Sequence, residues 1–419
     1  MITRRRFIGI ATAAAASAAS MPAPLGLLSR SARERKWRIG VVGLGARGMQ
    51  ILGAAMAHPG CRISAICDVH RSRARRAASL IESQSGGSIV RFASFDSMVS
   101  SDEIDIIAIA TPDHWHAQQA ISSIGSGVHV WIEPSLANSL AELDDLARVV
   151  RNAKGSVFLG QDGSIYKIAE DSIRHGKVGP ISVITITAAR TVCDFQLSAP
   201  FCKPPGELDW RQWCGPAGEL PYSHDGSRRG ETSALFQGGW RYNLALSPGV
   251  IGYAATQALA FSARIACMGD EVTVSSVGCR ALSPKAMRCS ERQFSSSPDR
   301  LAVKVSFPNG IKLNWVQTES VGSVASGYRI RLHVQGADGS MTIDDGKTLS
   351  QNGATLDSAS TNTDGLWGTF VKEIDSGRSR PLDSSILQAS QLGLLANASY
   401  AAAKPVRSRE NALPTTMRG

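Results

Sequence analysis

The sequence predicts an α/β protein: a doubly wound parallel sheet comes first, and a strand-rich α+β domain follows. Three observations carry this. Apolar runs alternate with helical patterns from residue 37 to 159, a glycine-rich turn follows the first run, and alternating strand patterns recur after residue 181. The 419 residues suit two domains, placed at 37–160 and 161–419, behind a leader of 1–36. With 43% hydrophobic and 19% charged residues, neither a fibrous nor a disordered class applies.

The formal charge of +10 suggests nucleic-acid binding until it is located along the chain. Residues 1–36 hold Arg4, Arg5, Arg6, Arg30, Arg33, Arg35 and Lys36 against Glu34, a net +6, so the rest carries only +4. Nucleic acid is therefore not expected as a partner. The leader opens on paired arginines before Phe7, and a mildly apolar, alanine-rich stretch (8–19) follows, too short to span a bilayer. Small residues at 16–18 offer a cleavage site. This resembles a twin-arginine export signal, which implies a periplasmic or otherwise exported protein and contact with export machinery. The alternative is a basic tail on a cytoplasmic protein. Residues 22–36 read as a linker. The eight cysteines form no C-x-x-C pair and no cluster with histidine at ligand spacing, so no metal is expected.

The first strand, 37–42, ends in Gly43-Leu44-Gly45-Ala46-Arg47-Gly48, and a helical pattern follows through Met49, Ile51, Leu52, Ala55 and Met56. A second strand, 62–67, ends at Asp68, 20 residues after Gly48. Glycine turn, strand before, helix after and acid at that distance make the full dinucleotide fingerprint of a Rossmann domain. Gly43 permits the tight turn, Gly45 lets a pyrophosphate approach the backbone, and Gly48 lets helix and strand pack closely. The helix start at Ala46 and Arg47 offers free N–H groups to the phosphates. Asp68 is suited to a ribose diol and repels a 2′-phosphate, which favours NAD. Arg71, Arg73, Arg75 and Arg76 follow at once and leave NADP open, or form a solvated helix face. Alternation continues with a short helix at 95–100 and a continuous apolar strand at 104–110. That strand ends in Thr111-Pro112-Asp113-His114-Trp115-His116, where such sheets bind ligands. Helix 117–124, strand 128–132, Glu133-Pro134-Ser135, helix 140–150 and strand 156–159 complete the domain.

These motifs resemble the Gfo/Idh/MocA family (glucose–fructose oxidoreductase, inositol dehydrogenase and MocA). Residues 110–117 resemble its A-T-P-D-H-x-H-A segment, and 130–133 resemble the strand leading into its E-K-P motif. Leu208-Asp209-Trp210, Trp213-Cys214-Gly215-Pro216-Ala217 and Pro221-Tyr222 resemble a segment typical of exported members, and 367–404 resembles the family's C-terminal tail. The resemblance implies a Rossmann domain followed by an α+β domain with a large, mostly antiparallel open sheet, whose face commonly makes dimers. A homo-oligomer is thus expected. Segments 181–189, 272–281, 301–307, 311–317 and 328–334 agree, since each alternates and ends in turn residues. The cofactor residues implied are Gly43, Gly45, Ala46, Arg47, Gly48, Asp68, Thr111, Pro112, His114, His116 and Glu133.

The chemistry departs from the resemblance. Family enzymes move hydride between nicotinamide and a sugar or polyol carbon, assisted by the lysine of E-K-P. Here Pro134 and Ser135 stand at the lysine and proline positions, and proline has no titratable group. The family's aspartate and histidine, four apart on a helix after a glycine, fall on Tyr253 and Gln257 of an expected helix, 250–260. A substrate-side arginine expected at 161–165 is absent, with Gly163 in that stretch. Catalytic residues are therefore not assigned, and Tyr253 and His116 are the remaining candidates. Lys167 reads as a solvated lysine and His175 as a helix C-terminal residue. Trp115, Trp131, Trp210, Trp213 and Trp240 suit either a sugar-stacking cleft or a core. Three functions stay open: an exported oxidoreductase of a sugar or polyol with tightly held cofactor, a non-catalytic carbohydrate- or nucleotide-binding protein, and an NAD-dependent glycosidase.

Overall fold

The computed structural model describes residues 36–85, 87–192, 202–222, 239–269, 271–279, 297–321, 328–358, 362–377 and 381–408. The expected export signal and the cysteines Cys193 and Cys289 lie outside them. Six strands form the first sheet: β1 (Trp37–Val42), β2 (Cys61–Cys67), β3 (Val90–Phe92), β4 (Ile106–Ile109), β5 (His129–Ile132) and β6 (Val157–Leu159). Their order is β3-β2-β1-β4-β5-β6, and every pairing is parallel. Helices α1 (Ala46–Ala57), α2 (Arg71–Ser85), α3 (Phe95–Val99), α4 (His116–Gly125) and α5 (Leu140–Arg151) connect them. All four residues of β4 are buried, as a strand covered on both faces requires. Ser139 and Glu142 start α5 with a reciprocal capping box, satisfying two otherwise free N–H groups. Strand order reverses between β1 and β4, which opens a crevice at their carboxyl ends.

After α6 (Ser164–Arg174) comes a second sheet, built on the long strand β7 (Ile181–Val192). Its other strands are β8 (Thr273–Cys279), β9 (Arg300–Ser306), β10 (Lys312–Val321), β11 (Tyr328–Gly336), β12 (Ser340–Asp344), β13 (Thr348–Gln351), β14 (Ala354–Ser358) and β15 (Val406–Arg407). The nine strands run β14-β13-β12-β11-β7-β10-β9-β8-β15, and only β7 and β10 pair in parallel. Alternation sorts the faces: in β9, Leu301, Val303 and Val305 are buried while Ala302 and Lys304 are exposed. Helices α7 (Trp210–Cys214), α8 (Gly249–Tyr253), α9 (Thr256–Ile265), α10 (Thr363–Asp375) and α11 (Ser384–Ala402) complete the described chain. Trp367 and Phe370 of α10 return to the first sheet's core, against Trp131.

One expected element is two. The helix expected at 250–260 breaks between α8 and α9, where two carbonyl oxygens accept from side chains. Thr256 Oγ1 donates to Gly252 O (3.1 Å), and Gln161 Nε2 donates to Ala254 O (3.3 Å). Among the described residues no helix is long and apolar enough to cross a membrane, and Cys61, Cys67, Cys202, Cys214, Cys267 and Cys279 are free thiols.

Candidate active site

A cleft of about 510 Å³ opens at the carboxyl ends of β1, β2, β4 and β5. At one end the turn after β1 approaches β4 so closely that only glycine fits. Gly43 has φ +84°, and a Cβ there would stand 2.7 Å from the carbonyl oxygen of Ala110. A Cβ at Gly48 would run into Gly43's own carbonyl oxygen. Gly45 faces the open cleft, with Arg73 Nη1 3.8 Å from where its Cβ would be. Helix α1 starts here with no side-chain cap and no acid in its first turn, leaving its first N–H groups and positive end toward the cleft.

Asp68 closes the same end. Its Oδ2 accepts from Leu44 N (2.6 Å) and its Oδ1 from His70 N (2.7 Å), which fixes the carboxyl at the rim. Burial raises its pKa against those hydrogen bonds and nearby Arg73. Of the four arginines after it, Arg73 lines the cleft while Arg75 pairs outward with Glu207 (2.9 Å). The segment 202–222 straps this corner. His70 bridges Leu208, Arg71 N donates to Glu207 O (2.8 Å), and Asp209 N donates to Val69 O (3.0 Å). Leu208, Trp210, Trp213, Tyr222 and Trp240 form a small core of their own beneath it.

Arg47 and Glu133, expected to touch a cofactor, bind each other. Arg47 Nε and Nη2 reach Glu133 Oε2 (2.7 Å) and Oε1 (3.1 Å), and Nη1 donates to Thr363 Oγ1 (2.7 Å). Trp131 Nε1 adds a bond to Glu133 Oε1 (2.8 Å). Both residues still line the cleft, as do Gly43, Gly45, Ala46, Asp68, Thr111, Pro112 and His116. Gly48 does not, and acts through packing.

His114 does not line it either, which corrects the expectation that it faces a cofactor. It lies beneath Trp115 and Trp213, 2% exposed, with Nε2 donating to Trp213 O (3.0 Å) and Nδ1 buried without a partner. Burial lowers its pKa to about 4, so the ring is neutral. His116, the first catalytic candidate, is closed as well. Its ring nitrogens stand 2.6 Å from Ser135 O and 2.8 Å from Thr111 O. Each nitrogen faces a backbone carbonyl oxygen, so neither is directed at the open cleft. Asp113, just before His114, is buried and accepts from Ser247 Oγ (2.7 Å), and burial raises its pKa.

Tyr253, the second candidate, is outside the lining, with its ring centroid 5.4 Å from the guanidinium carbon of Arg241. Gln257 lies over Gly163, where a Cβ would meet its Oε1 at 2.6 Å, and its Nε2 donates to Gln161 O (3.0 Å). The two departures from the family pattern thus fit each other: the missing side chain at 163 makes the room that Gln257 fills. Pro134 does line the cleft. Lys167 is exposed, and His175 caps the end of α6 with Nδ1 on Asp171 O (2.7 Å). Trp115, Trp213 and Trp240 line the cleft, while Trp131 is core and Trp210 stacks under Trp213 at 4.5 Å. Sequence reasoning missed Asp96, Gln118, Gln119 and Gln212, which line it too and carry no motif of their own. Arg241 was missed as well, although its neighbour Trp240 was singled out. Among the described residues no group of three potential ligands is arranged for a metal ion.

Residues 37–161 match the family model described as GFO_IDH_MocA, oxidoreductase family, NAD-binding Rossmann fold. A 185-residue stretch is 30% identical to a glycosyl hydrolase family 109 protein of Streptomyces coelicolor, covering 38% of this chain and 39% of that relative. The match thus spans about two fifths of the relative's length. Among solved structures, a levoglucosan dehydrogenase in complex with NADH superposes with a TM-score of 0.64 at 16% identity, over 89% of this chain and 99% of the other. A myo-inositol 2-dehydrogenase from Lactobacillus plantarum gives 0.62 at 14%, again over 89% and 99%. Residues 37–161 are therefore similar to this NAD-binding Rossmann domain, and the chain has the two-domain fold of these solved structures.

Proposed function

We propose that the chain is an exported protein that retains NAD in this cleft and exchanges hydride with a sugar or polyol, without the acid–base groups of its relatives. The fit of the cofactor rests on the glycine cradle at 43–48, the uncapped start of α1 and Asp68 with a lone pair left on each oxygen for a ribose diol. A cleft of about 510 Å³ is of the size that holds such a ligand. Bound there, NAD supplies a hydride acceptor or donor. The protein's part is to bind, orient and exclude water. Asp68 and the cradle would hold the adenosine side, the 202–222 strap covers it, and Pro134 walls the other end. The strap and the leader support one picture, in which a cofactor loaded before export stays bound.

The observation that carries the reading is the state of the titratable groups at the Pro134 end. Asp113, His116 and Glu133 are each engaged with Ser247, two carbonyls, and Arg47 with Trp131. Neither lysine nor tyrosine joins them among the described lining residues. Losing general acid–base assistance costs about 100- to 10,000-fold, while orientation keeps its share of the rate. A panel of aldoses, inositols and sugar acids, followed at the reduced-nicotinamide absorbance, tests this. The wild-type protein is expected to turn over slowly, and Pro134→Lys, which puts an amine into the cleft, to gain at least about tenfold. Fast wild-type turnover that Pro134→Lys lowers would contradict the proposal. Tyr253→Asp and Gln257→His are expected to add little, since neither position lines the cleft.

The name of the Streptomyces relative favours a second reading, a glycosidase that oxidises its substrate transiently through bound NAD. It needs the same acid–base groups and ranks below the first. Release of a chromogenic leaving group from an aryl glycoside, dependent on bound cofactor, would reverse that order. Self-association is proposed through the open face of the second sheet, where Val277 and Val316 are 71% and 42% exposed. A monomer by light scattering would exclude it.

A further inference from the structure

Beside Asp113 the cleft is aromatic and carries one guanidinium with no ion-pair partner among the described residues. Trp115, Trp213 and Trp240 line it together with Arg241. Among the described residues Arg241 makes no ion pair. Its guanidinium carbon rests 4.2 Å from the Trp240 ring centroid and 5.4 Å from that of Tyr253. The other arginines of the cleft differ. Arg47 is bonded to Glu133, and Arg73 lies beside Gly45 at the opposite end.

We propose that Arg241 recognises the carboxylate of an acidic sugar, a uronate or an aldonate, so that the substrate of this cleft is a monoanion. The inference rests on the reading above that the cleft takes a sugar or polyol. Stacking on Trp240 covers a face of the guanidinium and leaves its N–H edges, and those edges match two carboxylate oxygens in one plane. A side chain already pinned on an aromatic ring loses less freedom on binding than a free one. Trp115 and Trp213 offer an apolar wall for the ring carbons of a pyranose.

Charge decides between kinds of anion. Asp113 is buried nearby, and the field of Arg241 reaches it. One guanidinium balances one carboxylate. A phosphate dianion would leave surplus negative charge beside a buried acid in a poorly solvated site.

Calorimetric titration of the purified protein tests this with D-galacturonate, D-glucuronate and D-gluconate against D-galactose and D-glucose, with glucose 6-phosphate as the dianion. At least one sugar acid is expected to bind about tenfold or more tightly than its neutral counterpart, with a preference that weakens as salt rises. Arg241→Gln is expected to remove the preference, lowering the affinity for sugar acids more than that for neutral sugars. Arg241→Lys, which keeps the charge without the fork, retains only part of it and serves if the glutamine variant fails to fold. Equal affinity for acid and neutral sugars, no binding of any probe, a preference that survives Arg241→Gln, or tightest binding of glucose 6-phosphate would each overturn the proposal. Cofactor content measured on the same samples separates the two readings. Acid preference in a protein without dinucleotide supports Arg241's role and counts against the cofactor reading alone.

Discussion

At Gly48 one methyl group decides whether the cradle exists. Its Cβ would meet the carbonyl oxygen of Gly43, backbone against backbone, with no flexible side chain to yield. Gly48→Ala is expected to cost about 1–3 kcal/mol of stability and to lower dinucleotide affinity more than tenfold. Chemical unfolding and cofactor titration check this, and an unchanged affinity would contradict it. His114 gives a pH dependence. Unfolded, its ring protonates near 6.5; folded, near about 4. The stability from burying the neutral ring is therefore complete above pH 6.5 and lost as pH falls toward 4, about 3 kcal/mol in all. The charged and titratable groups around it, Asp113, His116 and Cys214, are common to wild type and variant. His114→Gln is expected to flatten the urea-unfolding free energy between pH 6.5 and 4.5 relative to wild type, and parallel losses would refute the assignment. The sequence placed His114 at a strand end, which is correct. Which way a side chain turns from a strand end depends on what packs there, and the partner, Trp213, comes from 99 residues away.

Under the proposed function, cofactor retention depends on the strap at 202–222. Its ion pair, Arg75 with Glu207, is about half exposed on both sides, so solvent screens it. Arg75→Gln is expected to leave the rate of cofactor release within about threefold. Leu208, 5% exposed, packs with Trp210, Trp213 and Tyr222 in the strap's own core, against which Val69 rests, and Leu208→Ala removes about 2–5 kcal/mol of packing there. Release is expected to quicken about tenfold or more, read from dinucleotide remaining after gel filtration over time. The reverse ranking would show that charge, not packing, fastens the strap. The Leu208-Asp209-Trp210 motif was legible in the chain, but its placement over β2 and α2 was not, because the contact is long-range and runs largely through backbone groups. Strands β12 to β14 were missed although Asn352-Gly353, both at positive φ, sits in the turn between β13 and β14. β14 is exposed throughout, and the alternation of β12 and β13 is short, with Met341 and Ile343 buried in one and Leu349 in the other. The break between α8 and α9 was hidden for another reason: it depends on Gln161, an unrelated segment.

For the whole molecule, the parallel sheet was readable because its strands are buried on both faces and its turn demands glycine. Each requirement leaves a local mark. The substrate end is not local. It gathers Pro134, Trp213, Trp240 and Arg241 from separate segments, and Gln257 fills the room left by the missing side chain at Gly163. Cofactor binding is therefore the central claim, and the most direct measurement of it is the dinucleotide carried by the purified protein. Denaturation should release about one equivalent of NAD or NADH per chain, identified by chromatography and by the fluorescence of the reduced form. A protein that comes out empty and shows no measurable affinity for NAD or NADP would contradict it.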